Sequence, residues 1–371
     1  MSTAGRDQAS ASPPSDVAGA LEGADFVRLV ARADGDALAA AGLLADALGA
    51  RETPYQVSIA RSAEDGLRTT DADVTVSLGA SSADATVTLA DEPLSAAAVE
   101  AVRALGGDPD FALALAGATV ADGGAVDERL AEEAGLDRRP GVAVPVADYV
   151  DGLAHSTLLH APFSGERAAV EDALGELDAD EHDEDAHRRV ASLVALTIAG
   201  DETASERATD VIERALRPYV GGPFETIGGY GDVLDAVARE RPGLGVALAL
   251  GHGGAREAAL DVWRTHASRA HTGIRTASTE RYDDLFVVRG DALPVETVAR
   301  LVARYRAPEP VTLVLGDDQA AIRTTDDRDV ATALDAGVTA VGGTTTGYRT
   351  RGRARFDGEA SDLVESVREA L

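Results

Sequence analysis

The sequence has no cysteine and no lysine, and it contains one tryptophan and one methionine among 371 residues. Without cysteine the chain cannot form a disulfide, a zinc–thiolate site or a thiol nucleophile. No apolar stretch approaches the roughly 20 residues of a membrane span, and the Ser/Ala/Pro-rich residues 1–16 lack the apolar core of a signal peptide. We therefore expect a cytoplasmic protein with no membrane partner, whose residues 1–20 form a disordered tail.

All 34 basic residues are arginine, and they face 64 Asp and Glu residues, which gives a formal net charge of −30. The hydrophobic content of 45% is too high for a disordered acidic chain. At molar salt the Debye length falls to ~3 Å, so the self-repulsion of an acidic surface is screened. We interpret the composition as that of a halophilic, archaeal protein rather than an ordinary acidic one. The charge argues only weakly against nucleic acid, because salt weakens attraction and repulsion alike.

Short β-branched segments alternate with amphipathic segments, a pattern typical of a parallel sheet with helices on both faces. The predicted strands of the first part are Phe26–Ala31, Tyr55–Ala60, Val74–Gly79 and Ala85–Ala90. The later part predicts strands at Leu285–Arg289 and Val311–Gly316 and helices at Val295–Tyr305 and Ala360–Leu371. The sequence thus predicts an α/β fold of two domains, 21–268 and a smaller α/β domain at 269–371.

The first predicted domain contains an acidic segment, 176–187, followed by a helical connector with helices at 187–199 and 202–216. The segment has too many charges for a protein core, so we predict a solvated loop or the start of a helix. His182 and His187 beside these carboxylates leave a metal cluster as the alternative, although few apolar residues nearby could hold its geometry.

The most informative motif is Arg32-Ala33-Asp34-Gly35-Asp36, which follows the first strand and opens a helix. Its two carboxylates are expected at the carboxyl edge of the sheet, where ligands and metals lie in open α/β folds. Two nearby carboxylates suit a hard divalent cation. Asp36 could equally cap the helix that begins there.

Several landmarks follow in order, namely Ser77 near the end of a strand, Asp91-Glu92-Pro93 after another, and Asp122 after a Gly-containing helix. Together with the first motif they resemble the DHH phosphoesterase superfamily, and most closely its archaeal RecJ-like proteins. That resemblance implies a DHH domain followed by a DHH-associated domain. It also implies a two-metal site, and Asp34, Asp36, Asp91 and Asp122 occupy the positions of the family's carboxylates.

Other positions depart from the family pattern, because Arg32, Ser77, Glu92 and Pro93 replace a histidine, an aspartate and the two paired histidines. Arg32 brings a permanent positive charge to the place of a divalent ion, and Pro93 offers no ligand and fixes φ. We therefore expect a vestigial site in which Arg32 pairs with Asp34, Asp36 or Asp91. Any remaining Mn²⁺ or Mg²⁺ would bind weakly to the surviving aspartates.

The C-terminal segment carries Gly342 and Gly343 but not the histidine that completes the family's glycine loop. Arginines then alternate at strand spacing from Arg349 through Arg351 and Arg353 to Arg355, so they should share one face. This face would either contact phosphates of a single-stranded nucleic acid or balance the acidic surface.

Three functions remain open. The first is a catalytically degenerate RecJ-like scaffold of DNA replication or repair, which by resemblance would bind GINS, the MCM helicase or an active RecJ paralogue. The second is a Mn²⁺- or Mg²⁺-dependent exonuclease on single-stranded DNA or RNA. The third is a small-nucleotide phosphodiesterase.

Overall fold

A computed structural model describes residues 11–62, 65, 68–80, 82, 84–121, 128–175, 177 and 184–371. Its contacts divide the chain into two compact units, each built from two stretches. Unit 1 comprises Met1–Gly135 and Leu234–Ala259, and unit 2 comprises Leu136–Val233 and Leu260–Leu371. This grouping by contacts differs from the domain boundaries expected from the sequence, which stay a prediction.

Unit 1 is built on a four-stranded parallel sheet with the strand order β2-β1-β3-β4. The strands are β1 (Val27–Arg32), β2 (Tyr55–Ala60), β3 (Val74–Leu78) and β4 (Val87–Leu89). The helices of this stretch are α1 (Pro14–Glu22), α2 (Gly35–Ala50), α3 (Leu94–Ala104), α4 (Phe111–Val120) and α5 (Glu128–Glu133), and α11 (Pro242–Ala249) joins them from the second stretch. The predicted parallel α/β sheet flanked by helices is confirmed.

Strand β1 explains the position of the first motif. Residues 27–31 are all buried, and Arg32 at the carboxyl end is the first residue to reach solvent. The chain then turns within two residues into α2, whose Ala-rich sequence is buried over almost its whole length. A strand buried on both faces is typical of a parallel sheet covered by helices.

The amino-terminal segment is more ordered than its composition suggests. Helix α1 begins at Pro14, a residue whose fixed φ suits the first helical turn. Val17, Ala18 and Leu21 form a buried apolar face on this helix. The expectation of a disordered tail is therefore wrong for residues 14–20, because the apolar spacing of a short helix was hidden within a Ser/Ala/Pro-rich composition.

The helical part of unit 2 contains α6 (Tyr149–His155), α7 (Arg167–Leu174), α8 (Glu184–Ala199) and α9 (Ala208–Ile212). A two-stranded ladder joins β5 (Asp137–Arg138) to β6 (Tyr219–Val220). Two helices cross the boundary between the units in sequence, α10 (Ile227–Glu240) and α12 (Arg256–Thr276).

The predicted helix over 202–216 is wrong at its first part, since α9 begins only at Ala208 and is followed by a 3-10 turn. Tertiary hydrogen bonds hold the preceding segment in a non-helical conformation. The amide of Ser205 donates to the carbonyl of Tyr305 over 2.7 Å, and its hydroxyl donates to the carbonyl of Arg304 over 3.0 Å. Sequence periodicity cannot show these distant partners.

The carboxyl-terminal part of unit 2 is a six-stranded sheet with the order β11-β12-β10-β9-β8-β7. The strands are β7 (Ser278–Tyr282), β8 (Leu285–Arg289), β9 (Val311–Leu315), β10 (Gln319–Thr324), β11 (Gly343–Tyr348) and β12 (Arg351–Phe356). Its helices are α13 (Val295–Tyr305), α14 (Val330–Val341) and α15 (Ala360–Ala370). Only β8 and β9 pair in parallel, so this sheet is mixed.

The two faces of this sheet have different coverings. Val287, Leu313 and Ile322 contribute to the apolar core under α14 and α15. Val288, Val314 and other residues of the opposite face pack against α13. No helix over the described ranges of the chain has the length and apolar content to cross a membrane.

Candidate functional site

Arg32 lies at the carboxyl end of β1 and connects two carboxylates of the motif region. Its Nε donates to Asp34 Oδ2, and its Nη2 donates to Glu92 Oε1 over 2.7 Å. A third, longer bond joins Nη1 to the carbonyl of Gly79 over 3.4 Å. The Arg32 side chain is 23% exposed, and those of Asp34 and Glu92 are less exposed still. The expected pairing of Arg32 is therefore seen with Asp34, and the second partner is Glu92.

The charge of this guanidinium is fixed. Burial lowers the pKa of Arg32, but the nearby charges of Asp34 and Glu92 act in the opposite direction and the net shift is upward. Arginine is already charged at every physiological pH. The centre of the motif therefore holds a permanent cation between two anions.

Asp34 and Asp36 each cap the amino terminus of a helix, but Asp36 does not cap α2, as the sequence suggested that it could. Asp34 is the N-cap of α2, and its side chain accepts from the amide of Ala37 over 2.9 Å. Asp36 is only 1% exposed and caps α3 instead, accepting from the amides of Leu94 over 2.7 Å and Ser95 over 2.9 Å. The Ser95 hydroxyl adds a bond of 2.6 Å.

This capping of α3 from outside its own segment has a simple cause. The N-cap residue of α3 is Pro93, which has no side chain that can accept a hydrogen bond from the first turn. Burial, followed by repulsion from Asp34, raises the pKa of Asp36 to about 6, while the bonds from Ser95 oppose the shift. Because Leu94 donates to one oxygen of Asp36 and Ser95 donates to the other, both oxygens are occupied by donors of α3.

The remaining landmark residues are Ser77, Asp91 and Asp122. Ser77 donates its hydroxyl to the carbonyl of Ala80, and Asp91 is exposed after β4. Asp122 lies outside the described residues. Within the described part of the chain, no group of three or more carboxylates and histidines could hold a metal ion.

The donor set of the described residues does not fit the two-metal centre that the resemblance implies. A hard divalent cation needs several oxygen ligands that carry net negative charge. Here the guanidinium of Arg32 binds Asp34 and Glu92, and Asp36 binds the amino terminus of α3. Metal ions would have to compete with both arrangements for the same oxygen atoms.

Asp235 is a residue of this region that the sequence analysis missed. It is 3% exposed, its Oδ1 accepts from the amide of Gly35 over 3.1 Å, and it pairs with Arg239 at 3.0 Å. A Cβ at position 35 would lie 2.9 Å from the backbone nitrogen of Asp235, so only glycine fits the turn between Asp34 and Asp36. The available signal was an acid among the apolar residues of α10, a signal that Asp232 on the same helix shares.

The histidines near the acidic segment do not form a described metal cluster. His182 lies outside the described residues, as do most residues of that segment. His187 is buried on α8, and its Nδ1 lies 2.7 Å from the hydroxyl of Tyr149. We interpret His187 as a core residue of unit 2.

The candidate nucleic-acid face lies on the edge hairpin of the six-stranded sheet. Gly342 and Gly343 connect α14 to β11 with φ angles of 86° and 141°, which other residues rarely adopt. On β12, Arg351, Arg353 and Arg355 alternate with buried neighbours, as the sequence pattern predicted.

Arg349 departs from that pattern, because it lies in the turn between β11 and β12 with φ 31° rather than in the strand. Its carbonyl accepts from the amides of Val330 and Ala331 and so caps α14. The expected row of four strand arginines is thus a row of three, with Arg349 exposed beside it.

The neighbours of these arginines define the chemistry of the face. Arg353 binds Glu296 at 3.1 Å and Gln319 at 2.8 Å, and Arg355 binds Asp318 at 2.8 Å. Across the hairpin, Thr344, Thr346 and Tyr348 are paired with Arg355, Arg353 and Arg351 and therefore share their face. Tyr348 is 42% exposed. Guanidinium, hydroxyl and aromatic groups thus form one open surface.

Comparison with solved structures shows which fold this chain has. A crystal structure described as exonuclease RecJ bound to manganese covers 97% of this chain and 94% of its own, with 13% identity and a TM-score of 0.51. The structure of CDC45 from Entamoeba histolytica covers 93% and 95%, with 7% identity and a TM-score of 0.60. At these identities the similarity shows a shared fold, and the resemblance to RecJ-like proteins of the DHH superfamily is confirmed at that level.

Sequence comparison identifies a near relative. A family model described as "Uncharacterized protein rrnAC1427, C-terminal domain" matches residues 277–369, which contain the six-stranded sheet. The protein rrnAC1427 of Haloarcula marismortui is 56% identical over the full length of both chains. This chain therefore belongs to the rrnAC1427 family.

Proposed function

We propose that this protein is a catalytically degenerate RecJ-like protein that acts as a scaffold in DNA replication or repair. The observation that carries the proposal is the Arg32 guanidinium, which joins Asp34 and Glu92 at the edge where the resemblance implies metal ions. The buried cap that Asp36 makes to α3 adds to it. Both features give Asp34 and Asp36 structural roles.

The physical argument concerns competition for oxygen atoms. A divalent ion placed between Asp34 and Glu92 would lie against a guanidinium that is always charged, and it would have to displace the two ion pairs of Arg32. Ligation by Asp36 would remove the cap of α3, which Pro93 cannot replace. Loss of a group that only orients a metal ligand commonly lowers affinity or activity by about 10- to 100-fold, and loss of the ligand itself is expected to cost at least as much.

The proposed partners follow from the resemblance to RecJ-like proteins, with the shared fold of CDC45 as support. They are GINS, the MCM helicase or an active RecJ paralogue of the same organism. The test is co-elution of the purified protein with each purified partner on size exclusion in molar KCl. A stable complex with one of them is expected, and failure with all three would contradict the scaffold.

We further propose that the hairpin face formed by β11 and β12 contacts single-stranded nucleic acid. Its exposed Tyr348 offers a stacking surface, and Arg351 and Arg353 offer phosphate contacts. In the free protein, carboxylates bind Arg353 and Arg355 and reduce the positive charge of this face. A phosphate would have to replace one of these ion pairs, so we expect a modest affinity for nucleic acid.

The alternative function is a Mn²⁺- or Mg²⁺-dependent single-strand exonuclease. It is favoured by the exposed Asp91 at the end of β4 and by the shared fold of a RecJ that is described as bound to manganese. In this case the ion would need to be held by fewer ligands than a two-metal centre provides.

A nuclease assay separates the two functions. The protein is incubated in molar KCl with Mn²⁺ or Mg²⁺ and with 5′-labelled single-stranded DNA or RNA, beside an Asp34→Ala variant and an Asp91→Asn variant. Asp91 is exposed, so its replacement leaves the packing of unit 1 intact. The scaffold predicts equal background cleavage by all three proteins. Cleavage by the wild type that both variants lose would establish the exonuclease.

A further inference from the structure

Unit 2 contains a cleft of about 570 Å³, and its lining includes no residue of the motif region or of the hairpin face. It is bordered by the segment 202–207, by the end of α13 and by the faces of β7 and β8. A volume of this size is in the range of small-molecule sites. The cleft therefore has room for a ligand.

The floor of the cleft is apolar. Phe286 and Val288 project from β8, Ile274 from α12 and Val302 from α13. These side chains are buried or half-buried in the protein and belong to its core or pack against it. Phe286 is half-buried, and it is the apolar side chain of this floor that a ligand would shield from water.

Two arginines line the same cleft, and their environment is unusual for a chain with 64 acidic residues. Arg306 is half-buried, and its recorded contact is a long one of 3.4 Å from Nη1 to the Nε2 of His160. Among the residues that the structure describes, neither Arg306 nor Arg207 forms an ion pair with a carboxylate. A guanidinium without an anion in a partly dry site is a position where an anion is stabilised.

Arg207 supplies a second, independent observation. Its Nη2 donates to the carbonyls of Ala307 over 2.7 Å and Glu309 over 3.3 Å in the segment after α13, and to that of Ala303 in α13 over 3.5 Å. Its Nε is buried and has no hydrogen-bond partner. Because this Nε is buried, a ligand in the cleft would not bond to it directly. Arg207 nevertheless lines the cleft, so the positive charge of its guanidinium favours an anion there.

Two acidic residues at the rim of the cleft limit the negative charge that a bound ligand can carry. Glu202 and Glu206 line the cleft and are exposed, so they remain hydrated while they repel a second negative charge. A monoanion is therefore favoured over a dianion. A metal ion is disfavoured, since two arginines line the same space and the cleft does not supply three carboxylate or histidine ligands in the described chain.

We propose that this cleft binds a small amphipathic carboxylate, with the carboxylate at Arg306 and Arg207 and the apolar body on Phe286, Val288 and Val302. The proposal does not depend on the scaffold function, because no residue of the cleft belongs to the motif region or to the hairpin face. Hydrogen bonds to a charged group are roughly twice as strong as neutral ones, so the arginines give specificity and the floor gives area.

The first experiment is calorimetric titration of the full chain in molar KCl with hexanoate, hexanol, hexylamine and hexyl phosphate. Hexanoate is expected to bind with a Kd of about 1 mM or below, and hexanol and the amine about tenfold more weakly. Tighter binding of hexyl phosphate than of hexanoate would overturn the assignment of a carboxylate. Absence of hexanoate binding up to about 10 mM would overturn the site.

Variants locate the binding. Arg306→Gln should weaken the binding of hexanoate by about tenfold or more. Arg188→Gln, which removes an equal charge from the exposed face of α8, should leave hexanoate binding unchanged. Unchanged binding by Arg306→Gln would contradict the proposal.

A second readout uses the wild-type protein, so it does not depend on the folding of a variant. Phenylglyoxal modifies accessible guanidinium groups, and peptide mass analysis reports each position. Hexanoate should protect Arg306 from modification and leave Arg188 unprotected. Equal labelling of Arg306 with and without hexanoate would overturn the proposal.

Discussion

The Nδ1 atoms of His160 and His271 lie 3.1 Å apart, and the two buried rings stack at a centroid distance of 5.3 Å. The contacts at the other ring atoms indicate how the protons are placed. His271 Nε2 lies 3.0 Å from the carbonyl of Ser156 and must donate to it, so its Nδ1 accepts from His160. This assignment holds for neutral rings, and burial lowers the pKa of both histidines, so both are neutral in the folded protein near pH 7.

The histidine pair predicts that unit 2 loses stability in mild acid. Burial, opposed in part by the bond to Ser156, lowers the pKa of His271 to about 4, and burial with the neighbouring His271 and Arg306 lowers that of His160 well below its usual value. The unfolded chain takes up these protons near pH 6.5. Stability is thus complete above pH 6.5 and falls as the pH drops toward 4, by at most about 3 kcal/mol for His271.

The single tryptophan, Trp263, is buried in unit 2 and reports on its unfolding. Guanidinium titrations between pH 7 and pH 4, followed by Trp263 fluorescence, should show the decline. His271→Gln keeps a donor for Ser156 but cannot take up a proton, so its pH dependence should be flatter. An equally steep decline in this variant would contradict the assignment.

Asp36 predicts the opposite pH dependence for unit 1. Because burial raises its pKa to about 6 from 3.8, the folded form holds the proton more tightly than the unfolded chain. The stabilisation that the proton on Asp36 gives to the folded state is therefore complete below pH 3.8 and is lost as the pH rises through 6. Hydrogen exchange of α3 amides should show faster opening at pH 7 than at pH 5.

Asp36→Asn removes that titration and leaves one acceptor for two amides of α3. We expect a loss of about 1–3 kcal/mol at pH 5 and a smaller difference between pH 5 and pH 7 than in the wild type. Exchange of peptides from α3 measures both quantities. Asp46→Asn, an exposed position at which no capping bond is made, serves as the control.

Arg32→Ala tests the electrostatic role of the arginine. The variant leaves Asp34 and Glu92 without their shared cation, so we expect a loss of roughly 2 kcal/mol, reduced from the fully buried case because Arg32 is 23% exposed. Mn²⁺ should then raise the Tm of the variant more than that of the wild type. Arg188→Ala is the control, and equal shifts for wild type and Arg32→Ala would contradict the competition argued above.

The hairpin face can be tested by fluorescence anisotropy with labelled single-stranded DNA and RNA at several salt concentrations. Changing Arg351 and Arg353 together to Ala should weaken binding and reduce the slope of log K against log salt by about 1.4, as expected for two lost phosphate contacts. Tyr348→Ala should cost about 1–3 kcal/mol with little change in slope, because stacking is not ionic. Unchanged affinity at matched salt would exclude these residues.

Alanine substitutions at two glycines, one in a crowded position and one in an open position, test the packing around them. A Cβ at Gly229 would lie 2.2 Å from the backbone of Val144 and Pro145, so Gly229→Ala should lose about 3 kcal/mol. Gly243 has open space around its Cβ position, and Gly243→Ala should be neutral or gain about 0.5–1 kcal/mol. Thermal melts of both variants measure the difference.

The sequence by itself determined the elements whose burial pattern is local. Strand β1 and the Ala-rich α2 follow from their apolar composition, and the amphipathic α13 follows from its helical periodicity. The order of strands and helices predicted the parallel sheet with helices on both sides. The motif region was found because residues at the end of a parallel strand must meet at one edge.

Only the tertiary structure decided which residue each motif carboxylate meets. The pairing of Arg32 with Glu92 spans 60 residues, and the cap that Asp36 gives to α3 spans 58 and 59. The start of α9 at Ala208 and the position of Arg207 likewise depend on contacts with α13 and the residues just after it, about 100 residues away in the chain. Local patterns record which face of a segment is buried, but the partner of a buried polar group is set by chain segments that are brought together only on folding.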